Sequence, residues 1–418
     1  MRRLWIAVAC AGLLTMAIGA GPAAAGLDPG FGEGGVVEVK PPLPSPWDAQ
    51  YVLEMAAARD GSSYALVQRY CREQSRCALA VAVVRYAADG SIDTSFGSDG
   101  SFTLPPEAET VSTIAIDSAG RPLIASAGDT GVVVRRLTPE GKLDSGFAVG
   151  SISSPACGCH YREASLTPGP RGAVTISLPG SPNGTLFRLK ADGTLDQGFG
   201  RGGALSLGTR GDGSFGAVAV GRGGALYLSG ATCCKNRFPF LLRVSAAGRL
   251  DTRFTRAAIR ALRQVDMSDE FGARVSAVLV RPRGTIDVLG STGFSKGFLL
   301  RMRPNGQPLR RFADNGLKPL PLLAGSAAIG SDGAIVAVGE GDIRGFGATV
   351  FRILRGGRID KSFGFKTVPR AADDLGFSIV AQTGRRALVL DLGLHECRGA
   401  CPSTPKLIRY LEDSRRRR

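Results

Sequence analysis

The chain has 418 residues, with 52 Lys and Arg against 36 Asp and Glu, and a formal net charge of +16 at pH 7. With 44% hydrophobic and only 21% charged residues, the composition excludes a wholly disordered chain. Two His in all exclude a His-rich metal centre, while 58 Gly and 7% aromatics point to many turns between short strands.

At the N-terminus, Arg2 and Arg3 precede an apolar run from Leu4 to Ala20 and the small residues "GPAAAG". This is the layout of a secretory signal peptide over residues 1–25, cleaved after Ala25. The twin Arg directly follows Met1, which favours the unfolded export route, and Cys10 lies too early in the apolar run for a lipid anchor. Cleavage leaves 50 basic and 36 acidic residues and eight of the 9 Cys, an even number that favours disulfides in an exported chain. No later stretch is long and apolar enough for a transmembrane helix.

From residue 26 onward one phrase recurs: "RYAADGSIDTSFG", "RLTPEGKLDSGFA", "RLKADGTLDQGFG", "RVSAAGRLDTRFT" and "RILRGGRIDKSFG". Its Phe falls at Phe31, Phe96, Phe147, Phe199, Phe254, Phe312 and Phe363, and its Arg at Arg85, Arg136, Arg188, Arg243, Arg301, Arg352 and Arg409. The two series are offset: the first Phe has no Arg before it, and the last Arg has no Phe after it. A linear stack would leave half a unit at each end, whereas a closed ring lets Asp28 and Phe31 complete Arg409. Within a unit, runs such as "VSTIAIDSAG", "RPLIASAG", "GVVVRRL" and "FAVGSI" read as four short strands separated by turn residues. Only "DTRFTRAAIRALRQVDMSDE" can be argued as helical.

Units of about fifty residues with four antiparallel strands, arranged in a ring, make an all-β, seven-bladed β-propeller over residues 26–414. "GGVVEV" is expected to close it as the outer strand of the last blade, beside "KLIRY", and residues 415–418 form a basic tail. Each Phe is expected to bury against its own blade. Each Arg is expected to tie to the following Asp: Arg85 to Asp93, Arg136 to Asp144, Arg188 to Asp196, Arg243 to Asp251, Arg352 to Asp360 and Arg409 to Asp28. The fifth full unit has Leu309 in place of the Asp, so Arg301 needs another partner.

"VVRYAADGSIDTSFGSDG", "LFRLKADGTLDQGFGRGG" and "GLDPGFGEGG" resemble the Delta-60 repeat family over nearly the whole mature chain, more loosely at residues 301–317. The resemblance implies an exported bacterial protein with propeller-like units. Its shared motif is structural, so it brings no catalytic residues.

Loops between second and third strands, and crossovers between blades, form the variable face and the expected binding side. All mature Cys map there: Cys71 with Cys77, Cys157 with Cys159, Cys233 with Cys234, and Cys397 with Cys401. Local disulfides that stiffen loop tips are one reading; Cys233 and Cys234 would form a strained adjacent pair or bond other loops. A metal is the other, because His160 and His395 sit among these Cys, each group one ligand short of a closed zinc site. Asp48, Glu109, Glu163, Asp212, Glu270 and Asp374 lie in the crossovers of six blades; they read either as solvated loop carboxylates or as a rim able to hold calcium through oxygen ligands. No other cofactor is expected.

No nucleophile elbow, HExxH or Walker-type phrase is present. The leading functional expectation is therefore a secreted or periplasmic, non-catalytic binding scaffold for an envelope protein or glycan. The alternative is a polysaccharide-acting hydrolase or lyase with acidic residues at the channel mouth. Nucleic acid is not an expected partner, since no recognisable module or aromatic interleaving accompanies the charge. Arg415, Arg416, Arg417 and Arg418 suit weak contact with an anionic surface.

Overall fold

The computed structural model of the chain describes residues 26–40, 49–70, 80–105, 111–128, 131–148, 150–152, 164–178, 184–207, 214–231, 238–265, 272–293, 296–342, 345–368, 377–382, 386–391 and 405–411. Apart from one α-helix and two short 3-10 turns, the regular structure of these residues is β, in antiparallel sheets of four strands with one three-stranded exception.

The first sheet comprises Ala49–Ala57, Ser63–Tyr70, Ala80–Tyr86 and Ser101–Thr103, and the second Val111–Ile116, Pro122–Gly128, Gly131–Arg136 and Gly150–Ile152. The third comprises Ser165–Pro168, Val174–Leu178, Thr185–Leu189 and Ala204–Ser206. Ser214–Val220, Leu226–Ala231 and Pro239–Val244 form the three-stranded fourth sheet. The fifth is Ala273–Val280, Ile286–Thr292, Lys296–Met302 and Leu317–Leu320, and the sixth Ser326–Ile329, Ile335–Asp342, Gly345–Ile353 and Lys366–Thr367. Phe377–Gln382, Arg386–Asp391 and Lys406–Leu411 form the seventh, whose fourth strand is Val36–Glu38 from the other end of the chain.

Second and third strands are buried on both faces; all of Val174–Leu178 is inaccessible, as are most of Ala80–Tyr86. Such runs need cover on both sides, so the sheets must stack face to face, and the core clusters show that they do. Leu123, Val134 and Phe147 of the second unit pack with Leu166, Ile176 and Leu189 of the third. The outer strands are two to four residues long in the six sheets that have them, which limits the exposed edge.

The fourth sheet departs from the expected four strands because its outer position is taken by a helix, Thr252–Leu262. Asp251 caps it, its carboxylate accepting from the Phe254 N–H at 2.9 Å, and the Ala- and Arg-rich sequence that follows favours helix over strand. Phe254, Ala258, Ala261 and Leu262 bury that helix against the fourth and fifth sheets.

Head and tail of the chain meet. Val36 pairs with Ile408, Val37 with Leu407 and Glu38 with Lys406. The Asp28 N–H donates to the Arg409 carbonyl and the Arg409 N–H to the Gly35 carbonyl, each at 2.9 Å. The first strands of successive sheets are in contact from the first to the seventh, and the first sheet in turn touches the seventh. One core cluster joins Phe31, Val52, Val67 and Val84 to Leu388, Leu390 and Leu407.

Candidate functional site

The repeated phrase builds a joint between neighbouring units. Arg136 shows its parts: Nε donates to Asp144 at 2.7 Å, the guanidinium carbon lies 4.5 Å from the Phe147 ring centre, and Nη1 donates at 2.7 Å to the Ala191 carbonyl in the next unit. Carboxylate, ring and distant carbonyl together use the whole guanidinium fork. The Arg85–Asp93 ion pair measures 3.2 Å, Arg243–Asp251 3.4 Å, Arg352–Asp360 2.5 Å and Arg409–Asp28 2.9 Å. Arg188 makes no ion pair with Asp196 among the described residues; it reaches the Ala246 carbonyl at 2.6 Å and the Gly224 carbonyl at 3.5 Å, leaving its buried Nε without a partner.

Arg301, opposite Leu309, takes Asp287 from the adjacent second strand, with Nε at 2.6 Å and Nη2 at 3.1 Å. Asp287 is fully buried and also accepts from Arg281 at 2.6 Å. The sequence carried a signal for this: Asp287 is an acid at a core-facing position in "TIDVLG", where the matching residues of the other six units are Tyr64, Leu123, Thr175, Tyr227, Val336 and Leu388.

Each Phe does more than bury against its own unit. Phe96 packs on Gly141 of the following turn, where an added Cβ would lie 2.9 Å from the ring and 2.5 Å from the Gly97 nitrogen. At the chain ends the same joint appears with Phe31 and Val37 against Gly90 of the first unit. Arg409 stacks 4.2 Å from the Phe31 ring centre and donates Nη1 to the Ala88 carbonyl, while the Gly32 N–H donates to the Asp89 carbonyl at 2.7 Å.

A cavity of about 720 Å³ is lined by the ends of first strands and their following turns in six sheets, including Ala58, Ile116, Pro168, Leu279, Ala328 and Ile379. It opens on the side of the short first-to-second turns, whereas the sequence pointed to the opposite, variable face as the binding side. Asp60 and Asp117 reach its edge but are engaged locally. Asp60 accepts from the Ser62 N–H and hydroxyl at 2.9 and 2.7 Å, and Asp117 from the Arg121 N–H and Nε, both at 2.9 Å. The wall thus offers shape, aliphatic surface and turn backbone.

Glu54, which the sequence reading passed over, lies in the first strand of the first sheet just after a register shift. Its carboxylate accepts from the Ile114 N–H of the second sheet at 2.8 Å. Burial pushes its pKa up to about 7, against the lowering effect of that N–H and of Thr113. Ser326 holds the matching position in the sixth sheet and its hydroxyl accepts from the Ile379 N–H at 3.2 Å, so Glu54 is a charged version of an inter-sheet tie.

The other candidates lie outside the described residues: Cys71, Cys77, Cys157, Cys159, Cys233, Cys234, Cys397, Cys401, His160, His395, the acids Asp48, Glu109, Glu163, Asp212, Glu270 and Asp374, and Arg415 to Arg418. Among the described residues no group of three or more His, Cys, Asp or Glu is placed to hold a metal, and no helix is long and apolar enough to cross a membrane.

Comparison with known proteins supports a β-propeller. Residues 79–96 match the family model described as a domain of unknown function (DUF5122) beta-propeller. No curated protein matches the chain by sequence. By structure it is similar to the virginiamycin B lyase of Staphylococcus aureus, at 12% identity and a TM-score of 0.51, covering 85% of this chain and 94% of that one. The PQQ-bound aldose sugar dehydrogenase of Streptomyces coelicolor aligns at 12% identity and a TM-score of 0.41, over 72% of this chain and 94% of that one. The β-propeller domain of the Trilobed protease from Pyrococcus furiosus aligns at 9% identity and a TM-score of 0.46, over 86% and 95%. At 12% identity the likeness to the lyase speaks for fold alone.

Proposed function

We propose that the mature chain, residues 26–414, is a closed seven-bladed propeller of the Delta-60 type, exported to the periplasm or beyond, where it serves as a rigid, non-catalytic scaffold. It holds an envelope protein or glycan through the loop face that carries the Cys pairs. The observation that carries this reading is the use to which the repeated chemistry is put. In unit after unit the recurring Arg and Phe join one sheet to the next, and the same joint made by Phe31 and Arg409, with Asp28 holding the guanidinium, supports closure of the ring. A frame locked this way leaves its long loops free to vary in sequence while their bases stay fixed. Disulfides within the loops, Cys71–Cys77 and Cys397–Cys401 among them, would add order at the tips.

The test compares the mature chain with a variant whose segments 71–79 and 392–404 are replaced by short Gly/Ser turns. Both are applied to immobilised envelope proteins and glycans from the source cell and to polysaccharide substrates. Binding by the parent, lost in the variant at an unchanged melting temperature, is the expected result. Release of new reducing ends by the parent, or equal binding by both proteins, would overturn the reading. Mass mapping of unreduced protein supplies the second arm: linked loop Cys are expected, and free thiols holding zinc would contradict the disulfides.

A further inference from the structure

Two neighbouring units break the repeat, and a cleft lies where the first of them meets the second. The fourth unit replaces its outer strand with the helix Thr252–Leu262, and the fifth carries Leu309 where other units have the turn Asp. Between the helix and the fifth unit's turn lies a cleft of about 430 Å³ lined by Arg260, Arg303 and Arg310. All three are exposed, none makes an ion pair or side-chain hydrogen bond among the described residues, and no carboxylate lines the cleft. In the second and sixth units the turn Asp pairs with the repeat Arg of its own unit; in the fifth that Arg, Arg301, pairs with Asp287, and Leu309 packs toward the sixth unit, so neither supplies charge to the cleft.

The cleft is also held in shape. Gly306 adopts φ +82° and approaches the helix so closely that a Cβ would meet the Phe254 carbonyl oxygen at 2.8 Å and the Ala258 nitrogen at 3.2 Å. At the other end the Asn315 amide donates to the Gln264 side-chain oxygen at 2.9 Å. Ala257, Ala261 and Pro308 add an aliphatic stretch of wall and Gln307 an amide, while the Gln264 amide is engaged with the Ala261 carbonyl at 3.2 Å and with Asn315.

We propose that this cleft binds a phosphorylated sugar. A phosphate monoester carries about −1.5 to −2 charge and three acceptor oxygens, a match for several guanidiniums used as planar forks. The volume lies within the roughly 300–1,000 Å³ of small-molecule sites, so it holds more than the phosphate alone. The aliphatic wall suits the face of a sugar ring, and the Gln307 amide suits its hydroxyls. The sugar phosphate can be free or can be the headgroup of a lipid, and the two sources are separable by experiment.

Calorimetric titration of the mature chain with glucose 6-phosphate, glucose and inorganic phosphate is the first arm. Co-sedimentation with phosphatidylcholine vesicles, plain or containing phosphatidylinositol phosphate, is the second. Glucose 6-phosphate is expected to bind, glucose is not, and inorganic phosphate is expected to bind more weakly. Each of Arg260→Gln, Arg303→Gln and Arg310→Gln should weaken binding about tenfold, as expected for loss of one charge-assisted contact. Arg256→Gln, on the same helix but outside the cleft, and deletion of residues 415–418 should leave it unchanged. Binding to doped vesicles alone, lost in the triple variant, assigns the headgroup as the source and sustains the proposal. Equal affinity for glucose, a triple variant that melts and binds like the parent, or no binding to either probe would refute it.

Discussion

Replacing Asp287 with Ala tests whether the phrase's Arg needs a carboxylate or merely a particular neighbour. Asp287 is fully buried and accepts from Arg301 at 2.6 and 3.1 Å and from Arg281 at 2.6 Å. Its removal strands two guanidiniums whose side chains are only 8% and 14% exposed. Breaking a buried pair from one side costs about 3–5 kcal/mol, and the partial exposure of Arg281 places the expectation near the lower end. Arg301 keeps its stack on Phe312, at 3.9 Å, and its bond to the Arg355 carbonyl at 2.6 Å, so the joint should weaken without coming apart.

The second half of the test is rescue. Leu309→Asp puts a carboxylate where Asp144 and Asp360 stand in their units. In the Asp287→Ala background it should recover about 2 kcal/mol, a coupling within the range for residues sharing one network. In the parent, where Arg301 is already paired, the same change should be neutral or mildly unfavourable. Urea midpoints for the parent, both single variants and the double variant supply the cycle. A loss below about 1 kcal/mol for Asp287→Ala, or additive effects of the two changes, would show that Arg301 does not depend on a carboxylate.

Glu54→Gln should make the protein more stable at pH 8 and leave it nearly unchanged at pH 5. The carboxyl's pKa is about 7 when folded and near 4.5 when unfolded, so the folded chain holds an extra proton between those values. Raising the pH through that window therefore costs stability, about 3 kcal/mol for the full shift, and Gln removes the slope while keeping an acceptor for the Ile114 N–H. Melting curves from pH 4 to 8 check this, and parallel curves for the two proteins would contradict it. Gly141→Ala should destabilise more than Gly120→Ala, although both sit at positive φ, because only Gly141 faces the Phe96 ring and Gly97 backbone. Urea midpoints that fall equally would remove the Phe–Gly joint from the account. Asp251→Ala should cost about 1–2 kcal/mol, chiefly by uncapping the helix, and be read as lost helical circular dichroism.

The features legible in the sequence are those that every unit repeats. Phe31 without an Arg and Arg409 without a Phe foretold that the two ends would be neighbours, because an offset between two series depends only on counting. The partner of Arg301 was harder: pairing Asp287 with it needs the strand register, and a lone acid in an apolar run does not announce its partner. The packing of Phe96 on Gly141 was hidden for a related reason, since the Gly reads first as a turn residue and its second role depends on the stacking of whole sheets. Glu54 looks like an ordinary strand residue until the next sheet places the Ile114 N–H against it. The arginine cleft forms between the helix of the fourth unit and the turn of the fifth, and neither stretch hints at the other along the chain.

Closure of the ring is tested most directly by pulsed electron-spin distances between labels carried on genetically encoded residues, leaving the native Cys untouched. Ser95 and Gly146 occupy matching turn positions in the first and second units, and Gly30 occupies that position at the chain's opening. In a closed ring the Gly30–Ser95 distance equals the Ser95–Gly146 distance within a few ångströms. A Gly30–Ser95 separation spanning several units would mean an open array and would contradict closure.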